Sequence, residues 1–407
     1  MNKIKIPIII IFITVLSFAP SCKKTEESAD PAGLALVSLM PGDITVNHTS
    51  RPFYLGLTPF PYSISSYSAI EYVYDKIGGD ADLICHHFDN GIPWDEALLS
   101  DDHTTYPAKV TEDWDYRRSH IPAGHKLYVA INPINSMRNG LAPIWNETGD
   151  NQPLTTPWSG YDFNDTDVKD AYLNYCRSVI NYFNPDYIAI GVEVNLVMAN
   201  IKPQWDAYLE LQSETYATLE TEYPDLPKFV TLTGIDLVEG YSNSNHTDQM
   251  SALADIMSIT TPCTDYYAIS LHPFFAEQPG AAIPADMFEK IFSSTLNTAA
   301  KPVCITETSY PAQRLTMTAY DPDITLAGTK AKQKEYFTLL LDEAHRLNMV
   351  FVVNFLVRDY DTLWRTTLGA PEDINKAWRD TGFYDEFGFR RPVLGLWKAY
   401  LGLPVVP

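Results

Sequence analysis

The chain alternates between short apolar runs and longer segments in which apolar residues recur at helical spacing. The short runs are rich in β-branched and aromatic residues and are almost continuously apolar, which is typical of strands buried on both faces of a parallel sheet. Eight such runs occur, at 53–58, 82–88, 127–132, 187–193, 229–234, 266–272, 303–307 and 350–355.

The segments between the runs predict helices. Apolar residues recur every three or four positions in 168–183, 204–222 and 331–347, and 392–401 is expected to form the last helix. Strands that alternate with helices indicate βα units, and eight of them in one continuous domain predict a single (β/α)8 TIM barrel. The main alternative is an open α/β sheet, which is expected to carry a glycine-rich phosphate turn after an early strand. The sequence has no such turn.

The first residues have the composition of an export signal. Lys3 and Lys5 precede the apolar run 6–18, and small residues then lead to Cys22. This order predicts that residues 1–21 are a lipoprotein signal peptide and that Cys22 becomes the acylated N-terminus. The alternative is an ordinary signal peptide in which the cysteine is incidental.

The rest of the chain divides into a tether and one large domain. Residues 22–50 begin with a polar stretch without periodicity, which predicts a flexible tether, and 51–407 form the predicted barrel. No later segment is apolar over the roughly 18 residues that a spanning helix needs, so membrane attachment is expected through lipid alone. The predicted location is therefore the cell envelope, on the outer membrane, the cell surface or the periplasmic face.

Charge and cysteine content exclude some classes of protein. The formal net charge is −22 and no basic stretch is present, which argues against nucleic-acid binding. Cys85 and Cys304 lie within strand-like runs and are expected to be small buried hydrophobes. The spacing of Cys176 and Cys263 predicts neither a disulfide framework nor a metal site.

Two of the predicted strands end in a glutamate. Glu193 ends the fourth in the segment GVEVN, and Glu307 ends the seventh in ITETSY. A charged side chain at the end of an apolar strand is costly unless it has a partner or a use. In a (β/α)8 barrel the carboxyl ends of the strands form the active-site face, so both carboxylates should meet there. Glycosidic bond cleavage requires such a pair, one acid and one nucleophile or base.

This placement resembles that of the clan A glycoside hydrolases. The chain is most similar to glycoside hydrolase family 53, the endo-β-1,4-galactanases, with family 5-like enzymes next. The segment TGFYDEFGFRRPVLGLW, at 381–397, also looks like the tail of many such enzymes. The resemblance implies a retaining enzyme in which Glu193 is the general acid/base and Glu307 the nucleophile. It implies no metal and no organic cofactor.

The sequence departs from the group at one position. The group usually has asparagine directly before the acid/base, where it hydrogen-bonds the sugar 2-hydroxyl, and this chain has Val192 there. Asn195 follows Glu193 by two residues and is a candidate for the same contact, although adjacent side chains of a strand point to different faces.

Other polar residues at strand ends are candidate sugar ligands. His272 ends the sixth strand and is expected either to orient Glu307, to bind sugar or simply to be packed. His87 and Asp89 follow the second strand as candidate hydrogen-bonding groups. Asn132 at the end of the third strand and Asn354 late in the eighth complete this set.

Tryptophans in the loops that follow strands suggest a sugar-binding groove. Flat rings stack on the apolar faces of sugars, and the alternative for each ring is burial beneath a loop. The candidates are Trp94, Trp145, Trp158 and Trp364. The long loops 89–124 and 133–167 are expected to form the walls of such a groove.

The leading hypothesis is a retaining β-glycosidase that acts on an oligo- or polysaccharide substrate. A second hypothesis is a glycan-binding lipoprotein that has kept the barrel and lost turnover, which Val192 favours and the pair of glutamates opposes. A metal-dependent hydrolase is a third, but the sequence has no His-x-His or HExxH pattern. His86 and His87 are adjacent and should point to opposite faces of a strand, so they make a poor metal pair. The sequence indicates neither the sugar cleaved nor the oligomeric state.

Overall fold

The predicted fold is confirmed by a computed structural model, which describes residues 46–276, 283–318, 323–368 and 374–406. The predicted signal peptide and Cys22 lie outside the described residues. Within them, parallel strands pair side by side into a barrel, and helices cover its outer face. No helix in these ranges is both long and apolar enough to cross a membrane.

Each predicted strand run overlaps a barrel strand. The strands are β1 (Tyr54–Leu57), β2 (Leu83–Phe88), β3 (Lys126–Ile131), β4 (Tyr187–Ala189), β5 in two pieces (Lys228–Phe229 and Thr231–Thr233), β6 (Tyr267–Leu271), β7 (Val303–Thr308) and β8 (Phe351–Asn354). Neighbours in the sequence are neighbours in the sheet, and β1 pairs with β8. The first piece of β5 pairs with β4 and the second with β6, so the barrel closes through β5.

The helices are α1 (Tyr67–Asp80), α2 (Trp94–Leu99), α3 (Ala108–Ser119), α4 (Thr166–Phe183), α5 (Asn195–Asn200), α6 (Trp205–Glu222), α7 (His246–Ile256), α8 (Met287–Ile291), α9 (Lys330–Arg346), α10 (Asp361–Leu363) and α11 (Pro392–Leu401). The predicted helices correspond to α4, α6, α9 and α11. Helix α4 ends where Asn184 adopts a left-handed conformation, with φ of 47°, directly before a proline. Asparagine tolerates this conformation, and proline cannot continue the helix.

The interior of the barrel is apolar below its carboxyl end. The side chains that fill it form a cluster separate from the layer between strands and helices: Leu83, Cys85, Tyr128, Ala130, Ala189, Val192, Phe229, Ala268, Cys304, Phe351 and Val353. Cys85 and Cys304 are therefore buried hydrophobes, as predicted, and Cys176 and Cys263 are free thiols. Glu193, His272 and Glu307 are buried at the carboxyl end of this layer, which is where a barrel of this kind carries its chemistry.

The fourth strand is shorter than its apolar run predicts. It ends at Ala189, and Glu193 lies four residues further on, with a φ of 53°. The chain nevertheless stays against β5, because the backbone N–H of Val194 donates to the carbonyl of Thr231 over 3.0 Å. A residue other than glycine at positive φ is uncommon, and its strain, of about 1–3 kcal/mol, persists only where the surroundings fix it.

Candidate active site

Glu193 is fully buried, and both of its carboxylate oxygens are held by donors. Ser270 Oγ, from β6, donates to Oε1 over 2.8 Å, and Arg138 Nη2 donates to Oε2 over 3.3 Å. Arg138 comes from the loop after β3 and is itself buried. The backbone N–H of Glu193 donates to Thr231 Oγ1 over 2.8 Å, which holds the residue in its left-handed conformation.

Glu307 belongs to β7 and has different partners. His272 Nε2, at the end of β6, lies 3.0 Å from Oε1, and the second ring nitrogen of His272 lies 3.0 Å from Ser309 Oγ. The other oxygen of Glu307, Oε2, is 3.8 Å from His87 Nε2, which is too far for a hydrogen bond. Among the described residues, one oxygen of Glu307 is therefore hydrogen-bonded and the other is not.

The two carboxyl groups are perturbed in opposite directions. Burial raises the pKa of Glu193 above its ordinary value; the charge of Arg138 opposes this rise, and that of Glu307 adds to it. Burial alone would also raise the pKa of Glu307, but the hydrogen bond and charge of His272, with the charges of His87 and Arg138, bring it below its ordinary value. The structure thus brings both glutamates to one site, where the surroundings raise the pKa of Glu193 and lower that of Glu307.

His87 and Asp89 extend the site along the end of β2. His87 Nδ1 lies 3.9 Å from Asp89 Oδ2, and both side chains are partly exposed. Burial raises the pKa of Asp89 to about 6, against the opposing charges of His87 and Arg138. His86 points the other way, between the sheet and the helices, where it packs on Tyr74. The prediction that the adjacent histidines face opposite sides is confirmed.

Two asparagines sit at the same level of the barrel. Asn132 Oδ1 accepts the backbone N–H of Val192 over 3.2 Å, and its Nδ2 is buried without a partner among the described residues. Asn354 Nδ2 donates to the carbonyl of Leu356 over 2.8 Å, and its Oδ1 is likewise buried and unpaired. Asn132 therefore offers an unsatisfied polar atom at the barrel mouth, where a ligand hydroxyl is a suitable partner. Asn354 pairs in register with Leu57 and Thr308, whose side chains face the helices, so the expectation of a sugar contact from Asn354 is not met.

Asn195 does not take the place of the missing asparagine. It is the first residue of α5 and is fully buried. Its Nδ2 donates to Gln249 Oε1 over 2.7 Å, and its Oδ1 accepts the backbone N–H of Thr233 over 2.9 Å. These bonds occupy the amide and tie α5 to β5 and α7. The expectation of a sugar contact from Asn195 is not met, because the turn at Glu193 directs this side chain into the protein.

The tryptophans are buried beneath the loops rather than exposed on a groove. Trp94 donates through Nε1 to the carbonyl of Ala142 over 2.9 Å and stacks on Trp158, with ring centroids 5.2 Å apart. Trp145 is also buried, and Trp364 is only 8% exposed, with Arg379 over its ring. The expectation of free stacking rings is corrected here, because the loops that carry these residues fold back and use them as small cores.

Sequence reasoning missed four residues of the site: Arg138, Thr231, Ser270 and Ser309. The two serines carry a signal in hindsight, since Ser309 lies two residues after Glu307 and Ser270 two before His272, and residues two apart in a strand share a face. Arg138 gives no such signal, because it lies in an irregular loop.

A second group of carboxylates lies beyond β8. Asp359, Asp361 and Asp380 are close enough together to hold a metal ion. However, Arg391 pairs with Asp359, and Arg379 lies 2.8 Å from Asp380 and 3.2 Å from Asp361. The two guanidinium groups balance most of this charge, so we interpret the cluster as an ion-pair network that anchors the C-terminal segment.

Neither a family model nor a curated protein matches the chain. Solved structures do match. A GH5_18 protein from Streptomyces cattleya in complex with Manβ1-4GlcNAc is 14% identical, with a TM-score of 0.57, covering 86% of this chain and 82% of its own. The GH53 catalytic domain from Ignisphaera aggregans is 14% identical, with a TM-score of 0.51 and coverages of 81% and 87%. An exo-β-1,4-mannosidase from Opitutaceae bacterium strain TAV5 is 14% identical, with a TM-score of 0.53 and coverages of 89% and 62%.

At such low sequence identity, the structural similarity establishes a shared fold and no more. The fold is a (β/α)8 barrel, and the matching structures include a GH5_18 protein and a GH53 catalytic domain, from the two families that the sequence resembles. Activity and substrate depend on the site rather than on the fold.

Proposed function

We propose that the protein is a retaining β-glycoside hydrolase, with Glu193 as general acid/base and Glu307 as nucleophile. The observation that carries this proposal is the pair of buried carboxyl groups at one barrel mouth, one held by Arg138 and Ser270 and the other by His272. These different partners agree with pKa shifts in opposite directions. A retaining glycosidase needs one carboxyl protonated while its partner is ionised. A purely structural ion pair would join one carboxylate to one cation, so it does not explain why two carboxyl groups are buried together.

The reaction proceeds in two displacements. In the first, a carboxylate oxygen of Glu307 bonds to the anomeric carbon, and the glycosidic bond breaks as Glu193 transfers its proton to the leaving oxygen. In the second, Glu193 takes a proton from water, the water oxygen bonds to the anomeric carbon, and the bond to Glu307 breaks. Two inversions restore the original configuration. These steps require neither a metal ion nor an organic cofactor.

The substrate class we propose is a β-linked oligo- or polysaccharide. One matching structure holds Manβ1-4GlcNAc and another is an exo-β-1,4-mannosidase, so β-mannosides are the first substrates to test. The resemblance to family 53 adds β-1,4-galactan. The Nδ2 of Asn132, which is unpaired among the described residues, suits a hydroxyl group of such a sugar.

The test is hydrolysis of a panel of β-mannosides, galactan and other β-glycans by the parent, Glu193→Gln and Glu307→Gln. Glu214→Gln is a matched control, because Glu214 is an exposed glutamate on α6. We expect the parent and the control to release the same sugars with retained configuration, and both active-site variants to release little. Turnover that survives in Glu307→Gln, or products of inverted configuration, would exclude the proposed mechanism.

One observation favours the alternative of a glycan-binding protein without turnover. Glu193 has no exposed surface, and Arg138 and Ser270 occupy both of its oxygens. An acid/base held in this way must lose the Arg138 contact before it can reach a glycosidic oxygen. Sugar binding by the parent with no product from any glycan would support this alternative.

We also propose that the protein is a lipoprotein of the cell envelope, held to the membrane by lipid on Cys22. The support is the sequence of residues 1–22, in which an apolar run and small residues precede the cysteine. Labelled fatty acid should be incorporated into the parent in cells and not into Cys22→Ala. Equal labelling of the two would contradict this assignment.

A further inference from the structure

Ser309 directly follows β7, and its side chain lies on the same side as that of Glu307, since both contact His272. Successive residues of an extended chain point to opposite faces, and residues 307–309 alternate in this way. Between them, Thr308 points outward, where its hydroxyl contacts the carbonyl of Leu271 and the hydroxyl of Tyr336, each at 2.6 Å. Ser309 is fully buried, and the hydrogen bond of its side chain is to His272.

The ring of His272 bridges the two side chains along β7. Its Nε2 lies 3.0 Å from Glu307 Oε1 and its Nδ1 lies 3.0 Å from Ser309 Oγ. The ring also packs edge-on against Trp378, with centroids 5.6 Å apart, and next to Phe274 at 5.7 Å. With both nitrogens engaged and its sides packed, the imidazole has one orientation.

The chemistry of Glu307, His272 and Ser309 determines where the protons lie along these hydrogen bonds. An ionised carboxylate only accepts hydrogen bonds, so the Nε2 of His272 must carry a proton in order to bind Glu307. The Nδ1 of the neutral ring then has a lone pair, which accepts the Ser309 hydroxyl proton. The opposite tautomer would place the Nε2 lone pair against the Glu307 carboxylate, which is repulsive.

We propose that Ser309 is a positioning residue that fixes His272 in the Nε2–H tautomer, so that His272 holds Oε1 of Glu307 and leaves Oε2 to attack the anomeric carbon. This inference rests on the proposed function, because it assigns the attacking oxygen of the nucleophile. It agrees with the contacts of Oε2, whose neighbour His87 is 3.8 Å away and has a buried Nε2 without a hydrogen-bond partner among the described residues.

The charged groups around Glu307 come from several elements. His87 and Asp89 belong to the end of β2, Arg138 to the loop after β3, Glu193 to the turn after β4 and His272 to the end of β6. Only His272 is within hydrogen-bond distance of Glu307, so a change in its tautomer should alter the ionisation of Glu307 more than a change at the others.

The test compares Ser309→Ala with Thr308→Val. Both variants remove a buried hydroxyl, from the last residue of β7 and from the residue that follows it, but of the two only Ser309 hydrogen-bonds His272. In Ser309→Ala we expect kcat/KM to fall about tenfold with little change in KM. The acidic limb of its pH profile should move to higher pH, because Glu307 is then protonated more easily. The profile of Thr308→Val should match that of the parent.

A second measurement does not depend on turnover. Nitrogen-15 NMR of the full-length protein labelled at histidine reports which ring nitrogen of His272 carries the proton, with His272→Gln to assign the signal. We expect a single Nε2–H tautomer in the parent and in Thr308→Val, and a mixture in Ser309→Ala. An unchanged His272 signal in Ser309→Ala would overturn the inference. If the signal changes but the protein hydrolyses no glycan, Ser309 still sets the tautomer of His272. In that case the proposal that this tautomer orients a nucleophile is overturned.

Discussion

Glu193 and Glu307 occupy similar positions in the barrel and differ in their partners. Both are buried above the same apolar layer, at the carboxyl ends of β4 and β7. Glu193 is held by a guanidinium group at 3.3 Å and a hydroxyl group, whereas Glu307 is held by an imidazole at 3.0 Å. Burial prevails at the first and raises its pKa, while hydrogen bonding and charge prevail at the second and lower its pKa.

The comparison shows that strand position brings a carboxyl group to the site but does not assign its role. The role depends on which pKa contribution is larger, desolvation or interaction with cations and donors. Two carboxyl groups with opposite perturbations are the arrangement expected of an acid and a nucleophile. The comparison therefore makes separate predictions for each side of the site.

The largest expected effect is a difference between leaving groups. Glu307→Ala should reduce hydrolysis of every substrate by about 10⁴-fold or more, because the attacking group is lost. Glu193→Ala should cost about 10²–10⁴-fold on an unactivated glycoside and far less on an aryl glycoside whose leaving group needs no proton. Steady-state rates on the two substrate types measure this difference. Equal losses on both substrates in both variants would break the assignment of roles.

Arg138 is the next test, and it concerns the Glu193 side first, because Arg138 hydrogen-bonds Glu193 and acts on Glu307 through its charge alone. Its charge lowers the pKa of Glu193, so Arg138→Gln should raise that pKa. The acid must be protonated to act, and activity disappears as pH rises through its pKa, so the alkaline limb of the pH profile should move to higher pH. Above that limb, the free energy of unfolding should fall by about 3 kcal/mol, because a buried carboxylate is left without its cation.

The matched control for Arg138 is Arg177→Gln. Arg177 pairs with Glu222 at the protein surface, and such pairs contribute less than about 1 kcal/mol. Denaturant unfolding at two pH values, together with pH profiles of kcat/KM, distinguishes the two variants. An alkaline limb that stays in place in Arg138→Gln would mean that the ion pair does not control the acid.

The sequence was sufficient to predict the barrel and both glutamates, for a physical reason. Strands buried on two faces must be continuously apolar, so a carboxylate at the end of such a strand is conspicuous. Glu193 still departs from the pattern, because a left-handed turn rather than the strand itself presents it. Arg138 reaches the site from an irregular loop, and loop conformation has no periodic signal. The prediction that the tryptophans line a groove was wrong, because a position in a loop does not distinguish an exposed ring from one buried in the core of a folded loop.

The buried carboxylate of Asp89 is expected to lower the free energy of unfolding at neutral pH. Replacing it with a neutral side chain should therefore stabilise the protein. Burial raises its pKa to about 6 in the folded protein, above the unfolded value of about 3.9. The folded state then holds the proton more tightly, so the stability contributed by this group is present below pH ~4 and is lost as pH rises to about 6. Asp89→Asn should abolish this change and stabilise the protein by up to about 3 kcal/mol at pH 7.

Differential scanning calorimetry between pH 4 and 8 checks the prediction. The melting temperatures of the parent and Asp89→Asn should diverge as pH rises to 6 and stay apart above it. Asp113→Asn is a suitable control, since Asp113 forms an ion pair with Arg117 at 2.6 Å and its removal should destabilise the protein. Curves for Asp89→Asn that run parallel to the parent over the whole range would contradict the expected titration.

The smallest expected effect concerns the hydrogen bond to the backbone of Glu193, as distinct from the ion pair of its carboxylate. Thr231 Oγ1 accepts the backbone N–H of Glu193 over 2.8 Å, so Thr231→Val leaves a buried donor unpaired and should cost about 1 kcal/mol of unfolding free energy. Thr233 lies on the same piece of β5, and its own buried hydroxyl has no partner among the described residues. Thr233→Val should therefore be neutral or slightly stabilising.

The pH profile gives a second comparison for Thr231→Val. Because the Thr231 hydroxyl supports Glu193 and not Glu307, its loss should disturb the alkaline limb of the profile. The acidic limb, which depends on Glu307, should stay where it is. A shift of both limbs in Thr231→Val would show that the two carboxyl groups move as one unit rather than being set by separate partners.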